Sequence, residues 1–231
     1  AYNKKIEKRS FLTDFYGEKR LEIPLSKNAT LKGFIDKILF KTFHDKTYYA
    51  VFDYKTGNAT LNLDYLTEGL YLQLPLYIYL INKSGLFSNP GFVGFFYQYL
   101  LQNYKDLNEK EKNLKLVGYT TDDKIILSYL DEDYENDSFV KSLGVKKDGE
   151  LSSKSKTLNE EELKDMLKAI DEALEKSLKI IDNNDFVIAP KIINNKNISC
   201  EFCPFKEVCF VTPNDYVYLE KEKEEGGDLN A

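Results

Sequence analysis

Strand-like and helix-like segments alternate along this chain, which predicts a mixed α/β (α+β) fold with a central β-sheet flanked by helices. Two runs rich in β-branched and aromatic residues, 31–42 and 47–55, are joined by a short polar turn, the pattern of a hairpin. A third run, 92–101, is strongly aromatic and is expected to be a central strand. Apolar residues recur at spacings of three and four in 64–82 and again in 157–183, the signature of helices with one buried face.

Residues 1–20 are polar and read as a helix remnant or loop. Leu21-Glu22-Ile23-Pro24-Leu25 alternates briefly as a strand, and 26–30 is a polar turn. The 31–42 strand carries Leu31, Phe34, Ile35, Ile38, Leu39 and Phe40, and His44-Asp45-Lys46 turns the chain into 47–55. His44, the one histidine, is expected to be an exposed turn residue rather than a ligand. The 64–82 helix places Leu66, Leu70, Gln73, Leu74, Tyr77 and Ile81 on one stripe. Asn62 or Asp64 would cap its start, Gly85 would end it, and Pro75 implies a kink. Residues 114–130 read as two short strands split by Asp122-Asp123-Lys124, and 131–157 as a surface loop. In 157–183, Asn159 with Glu162 forms a capping pair before the stripe Leu163, Met166, Leu167, Ile170, Leu174, Leu178 and Ile181. A short strand at 186–189, a cysteine-rich segment at 198–211 and a flexible acidic tail at 220–231 complete the expected single domain, residues 1–231.

The 231 residues are 42% hydrophobic and 30% charged, enough for one sizeable core and too apolar for a disordered chain. No apolar run reaches the ~18 residues of a membrane span; the longest, 69–81, is broken by Gln73 and Pro75. The first ten residues hold Lys4, Lys5, Glu7, Lys8 and Arg9 with no apolar stretch behind them, so no signal peptide is expected and the location is expected to be cytoplasmic. Ala1 in place of methionine suggests a piece of a longer protein. The net charge of −6 argues against a dedicated nucleic-acid binder, although a metal-using site needs carboxylates of its own.

The chemistry concentrates in Gly33-Phe-Ile-Asp36 and in Val51-Phe-Asp53-Tyr-Lys55-Thr-Gly57. Side chains two apart on a strand share a face, so Asp53 and Lys55 project together. A hairpin that brings Asp36 beside Asp53 joins two carboxylates and an ammonium. Such acids repel unless a cation lies between them, and hard oxygen donors suit magnesium. The bland alternative is an exposed strand pair plus an unrelated acid. The apolar neighbours Val51, Phe52, Phe34, Ile35 and Ile38 weigh against it, because charges in apolar strands are costly unless paired. Gln73 and Tyr77 stand four apart on the following helix and share a face; a structural role in a helix–sheet contact stays open for both.

Taken together, Gly33-x-x-Asp36, Asp53-Tyr-Lys55-Thr-Gly57 and Gln73-x-x-x-Tyr77 resemble the nuclease module of RecB-type helicase–nucleases in the PD-(D/E)XK superfamily. Lys146-Lys-Asp-Gly, the long amphipathic helix and Cys200-x-x-Cys203-x5-Cys209 extend the likeness to the C-terminal region of the B subunit of AddAB-type helicase–nucleases, over roughly residues 20–220. The resemblance implies a restriction-endonuclease-like sheet, Mg2+ (or Mn2+) held by Asp36, Asp53 and the main-chain carbonyl at Tyr54, a catalytic Lys55, and Gln73 and Tyr77 facing DNA. It also implies double-strand-end processing with an AddA-like partner subunit; the absence of a long apolar run leads to the expectation of no membrane partner. Two positions depart from the family: Lys37 stands where an arginine is common, and Leu39 where a second aspartate is common.

Three cysteines are one short of a tetrahedral zinc or four-iron site. The resemblance implies a 4Fe-4S cluster in the full-length protein, with its fourth cysteine upstream of Ala1; for this piece an empty site of three thiols is the expectation. Two further readings compete with the exonuclease. One is a Cas4-like nuclease, disfavoured by the long stretch between Tyr77 and Cys200. The other is a non-catalytic module for DNA ends or subunits, disfavoured by the joint presence of Asp36, Asp53 and Lys55.

Overall fold

The computed structural model describes residues 2–100, 114–201 and 203–219. The chain forms two compact units, Ala1–Glu175 and Lys176–Ala231. The first opens with α1 (Tyr2–Arg9) and then β1 (Asp14–Pro24), β2 (Thr30–Phe43) and β3 (Lys46–Lys55) as an antiparallel meander. A helix, α2 (Gln73–Ser84), returns the chain to β4 (Pro90–Tyr99), which pairs parallel to β3; such a pairing needs a crossover of this kind. After β5 (Val117–Thr121), α3 (Lys124–Leu130), α4 (Tyr134–Asp137) and β6 (Thr157–Leu158), the long α5 (Glu160–Asp182) follows. The sheet order is β1-β2-β3-β4-β5-β6, with β4/β5 antiparallel and β5/β6 parallel. This is a mixed, restriction-endonuclease-like sheet flanked by helices, as the sequence predicts.

Each face of the sheet buries its own apolar layer. One side gathers Ile35, Tyr49, Val51 and Phe95 against Leu74, Ile78 and Ile81 of α2 and Met166 and Ile170 of α5. The other gathers Leu39, Ala50, Phe52 and Phe96 with Ile6, Leu12, Leu130 and Phe139. Residues 49–52 are therefore buried throughout, as a central strand covered on both faces requires.

Several elements differ from their sequence-based expectation. The first strand begins at Asp14 rather than Leu21, and α1 occupies 2–9. α2 begins at Gln73, not at residue 64. Before it lies a 3-10 turn, Leu66–Glu68, which Gly69 ends in the left-handed region at φ 77. Pro75 is thus in the first turn of the helix, where its missing N–H removes no hydrogen bond and no kink is required. Residues 124–130 are helix α3 rather than a strand. The Asp123 carboxylate accepts the N–H groups of Ile125 and Ile126 and so caps it, a cap signal that also reads as a turn. The expected loop at 131–157 includes α4 and reaches β6. Asn159 and Glu162 do exchange capping bonds at the start of α5, at 2.8 and 2.9 Å.

The second unit contains a three-stranded sheet ordered β8-β7-β9, built from β7 (Lys191–Ile193), β8 (Lys196–Asn197) and β9 (Val217–Leu219). Residues 186–189 are not a strand: Phe186, Val187 and Ile188 are exposed, and pairing starts only after Pro190. The expected flexible tail at 220–231 and the end of the 92–101 strand at Leu101 lie outside the described residues. Among those residues no helix is long and apolar enough to cross a membrane.

Candidate active site

The candidate centre grows from an irregularity in β2. Ile35 and Ile38 both face the α2 side, three residues apart, so the strict two-residue alternation slips by one at Asp36–Lys37. The β1/β2 ladder pairs Gly17 with Lys37 and Lys19 with Ile35, skipping the position between them, where Glu18 has φ 47. The β2/β3 ladder also ends there, at Lys37 opposite Phe52. Beyond that point the Tyr54 N–H donates to the Asp36 carboxylate at 2.7 Å instead of to a β2 carbonyl. The β2/β3 ladder therefore ends where the next residue of each strand is an acid, Asp36 and Asp53.

On the α2 side, Asp53 is 2% exposed. Its Oδ1 accepts from Gln73 Nε2 at 2.7 Å, and its Oδ2 lies 2.5 Å from Lys55 Nζ. That second contact is an ion pair by distance but lacks hydrogen-bond alignment, so Oδ2 is a buried acceptor with no aligned donor. Burial pushes the Asp53 carboxyl above the ordinary carboxylate range; Lys55 opposes the shift and the charge on Asp36 adds to it.

Gln73, the first residue of α2, ties the pieces together. Its Oε1 accepts from Lys55 Nζ at 2.7 Å, and its Nε2 also donates to the Tyr77 hydroxyl at 3.1 Å. Gly33 lets β2 approach this helix: a Cβ there would stand 2.5 Å from Leu80 Cδ1 and 3.6 Å from the Tyr77 ring. Tyr77 is held above its ordinary pKa by burial, so it stays a protonated donor at neutral pH.

Asp53, Lys55, Gln73 and Tyr77 are therefore brought into one hydrogen-bonded group. Asp36 lies near enough for its charge to act on Asp53, yet its own bond is to the Tyr54 amide. Sequence reasoning missed Tyr97. It sits beside Asp53 in the β3/β4 register, and Lys55 Nζ lies over its ring at 5.0 Å. Burial, reinforced by Asp53, pushes its phenol up to about 12. Only the strand pairing reveals it. His44 is exposed in the hairpin turn at φ 54. Cys200, Cys203 and Cys209 are free thiols, each part-buried, and among the described residues no group of three or more His, Cys, Asp or Glu side chains is gathered as for a metal.

A divalent metal ion suits this donor set. The Asp53 Oδ2 is a buried oxygen with no aligned hydrogen bond, lying beside the Lys55 ammonium, and hard oxygen donors are what such an ion accepts.

The family model of the PD-(D/E)XK nuclease superfamily matches residues 4–210. The chain is 29% identical over 222 residues to the B subunit of the ATP-dependent helicase/deoxyribonuclease of Caldanaerobacter subterraneus subsp. tengcongensis, covering 88% of this chain and 19% of that protein. The corresponding B subunit of Clostridium perfringens (strain SM101 / Type A) is 28% identical over 241 residues, 92% of this chain and 21% of its own length. That of Desulfitobacterium hafniense (strain DSM 10664 / DCB-2) is 30% identical, covering 84% of this chain and 19% of its own length. The chain spans about a fifth of the length of these curated relatives. With a family match across most of its length, this chain belongs to the PD-(D/E)XK nuclease superfamily.

Proposed function

We propose that this chain is a magnesium-dependent deoxyribonuclease module that hydrolyses DNA phosphodiester bonds as an exonuclease during double-strand-break end processing and recombinational repair. The observation that carries the reading is the buried Asp53 carboxylate, with one oxygen held by Gln73 and the other facing Lys55 without an aligned bond. Asp36, Asp53 and the Tyr54 main-chain carbonyl are the groups that would hold Mg2+, or Mn2+ in its place. When bound, the ion supplies charge to a scissile phosphate and acidifies a water.

The chain's own residues do the rest. Lys55, held by Gln73 Oε1, presents an ammonium where negative charge grows on the phosphate oxygens. Gln73 fixes the rotamers of Asp53 and Lys55 together, so the acid and the amine keep their spacing as substrate arrives. Tyr77 supports the Gln73 amide from one turn along the helix. The names of the relatives extend the proposal to a helicase–nuclease assembly acting on DNA, with an AddA-like partner subunit. For the longer protein, the resemblance adds a 4Fe-4S cluster on Cys200, Cys203 and Cys209.

The test is cleavage of end-labelled DNA by the parent, Asp53→Ala and Lys55→Ala, with and without magnesium. Metal-dependent products from the parent alone are expected. Equal traces from all three would favour the non-catalytic module.

A further inference from the structure

A cavity of about 620 Å³ opens on the sheet face away from α2, between α1 and the β1/β2 strands, and it reaches the candidate centre through two shared residues, Asp36 and Tyr54. Its volume is of the size that holds a small molecule or a nucleotide fragment. Its walls include Leu12, Leu39 and Phe15, and Phe15 stands across the β1/β2 ladder from Leu39 while remaining 67% exposed. An aromatic ring left in solvent beside a lined cavity offers a stacking surface. Two residues along β1 from Phe15 is Gly17, register partner of Lys37; a Cβ built on it meets nothing within 4 Å. A side chain at residue 17 would therefore enter open space.

Charge narrows the occupant. The cavity is lined by the carboxylates of Glu7, Glu18 and Asp36 and by one ammonium, Lys37. Setting aside Asp36, which the proposed metal would engage, a phosphate entering this surround would meet the two acids Glu7 and Glu18 against one base. A flat neutral group would not, and its edge donors and acceptors would find carboxylates and an ammonium respectively. Burial lowers the Lys37 pKa from its ordinary value, an effect that Glu7 opposes.

We propose that this cavity is a nucleobase subsite: it takes one unstacked base of the DNA strand being cut, stacked on Phe15, while the phosphates stay outside toward Asp36 and Lys55. The inference rests on the nuclease reading of the same centre. It makes Phe15 and Gly17 specificity-determining residues and predicts that the enzyme acts on a strand whose base can leave the duplex stack.

The experiment pairs cleavage with binding. Gly17→Leu would project a side chain into the cavity beside Phe15, and Phe15→Ala would remove the stacking ring without touching the core; melting curves of both are expected to overlay the parent. With magnesium, each variant is expected to raise KM about ten-fold at nearly unchanged kcat, the scale of one lost base–aromatic stack, and Phe15→Tyr is expected to restore it. In calcium, Kd for a single-stranded oligonucleotide is expected to rise by a similar factor. Placing an abasic residue beside the cut bond is expected to weaken the parent to the level of Gly17→Leu and to leave Gly17→Leu unchanged. Parent-like KM and Kd in Gly17→Leu, or indifference of the parent to the abasic residue, would overturn the subsite. A parent that binds but never cleaves would overturn the nuclease reading instead, and the calcium binding arm would still decide the cavity.

Discussion

The Asp36 carboxylate accepts the Tyr54 amide N–H at 2.7 Å, taking the place that a β2 carbonyl would fill in an unbroken ladder. An acid of the candidate centre is therefore also a piece of the backbone bonding. Asp36→Asn keeps an acceptor for Tyr54 and loses the charge, whereas Asp36→Ala loses both. Both variants are expected to lose cleavage by about 10²-fold or more. Only Asp36→Ala is expected to lose stability as well, by about 1 kcal/mol. Denaturant midpoints measured beside cleavage rates separate the two roles.

Asp53 predicts a pH dependence of stability. Its carboxyl is held above the ordinary range by burial, so the folded state binds that proton more tightly than the unfolded chain does. The protonated group's contribution is present below the unfolded value and is lost as pH rises through the folded one. Metal-free protein is thus expected to lose melting temperature as pH climbs from about 4 toward neutrality. Asp53→Asn, which cannot ionise, is expected to lack that slope, to melt higher than the parent at neutral pH in a chelator, and to be inactive. A melting curve series with chelator or magnesium checks this; an Asn variant less stable than the parent at neutral pH would refute it.

Lys55→Met keeps the length of the part-buried Lys55 side chain and removes its ammonium, which bonds to Gln73 and lies beside Asp53. Lys55→Met is expected to cut the single-turnover cleavage rate by about 10²- to 10³-fold while leaving the Kd for DNA within a few-fold. Gel-shift binding and rapid-quench rates measured on one preparation test the split.

Two glycines differ in what surrounds them. A Cβ at Gly118 would lie 1.9 Å from the Phe95 carbonyl oxygen, which the sheet cannot move, whereas the clash at Gly33 is with the flexible end of Leu80. Gly118→Ala is expected to destabilise by about 3 kcal/mol or more and Gly33→Ala by less. Urea unfolding of the two variants gives the order.

Arg9 holds the start of the chain to the segment after α3. Its guanidinium pairs with Asp131, which is 1% exposed, donates to the Asp137 carbonyl and lies over the Phe139 ring at 5.3 Å. Arg9→Ala would strand a buried carboxylate and is expected to cost about 3–5 kcal/mol. Thermal melts are the readout.

The sheet was legible where apolar alternation and aromatic runs are long, as in 31–42, 47–55 and 92–101, and the α5 stripe with its Asn159 cap was equally plain. Asp53 with Lys55, and Gln73 with Tyr77, followed from periods of two and four. What stayed hidden depends on contacts across the chain. Tyr97 joins the site only through parallel pairing, and 64–72 has a helical stripe but yields to Gly69 and to Tyr71 at φ 56. Lys124–Leu130 is apolar enough for a strand until the Asp123 cap is seen to turn it into a helix. The one-residue slip in β2 has no signature in composition, because Ile35 and Ile38 each look like ordinary core positions.

That slip ties inheritance of the acid to inheritance of the architecture. Removing one residue between Ile35 and Ile38 would rotate the remainder of β2 by half a turn, delivering Leu39 to the layer that now holds Ile38 and turning Phe40 away from Tyr16, its stacked neighbour at 4.8 Å. A lineage drifting away from catalysis could replace Asp36 by another side chain, but it could not shorten the strand at that point and keep its two cores. The spacing between Ile35 and Ile38 is expected to persist in descendants that have long since stopped cutting anything.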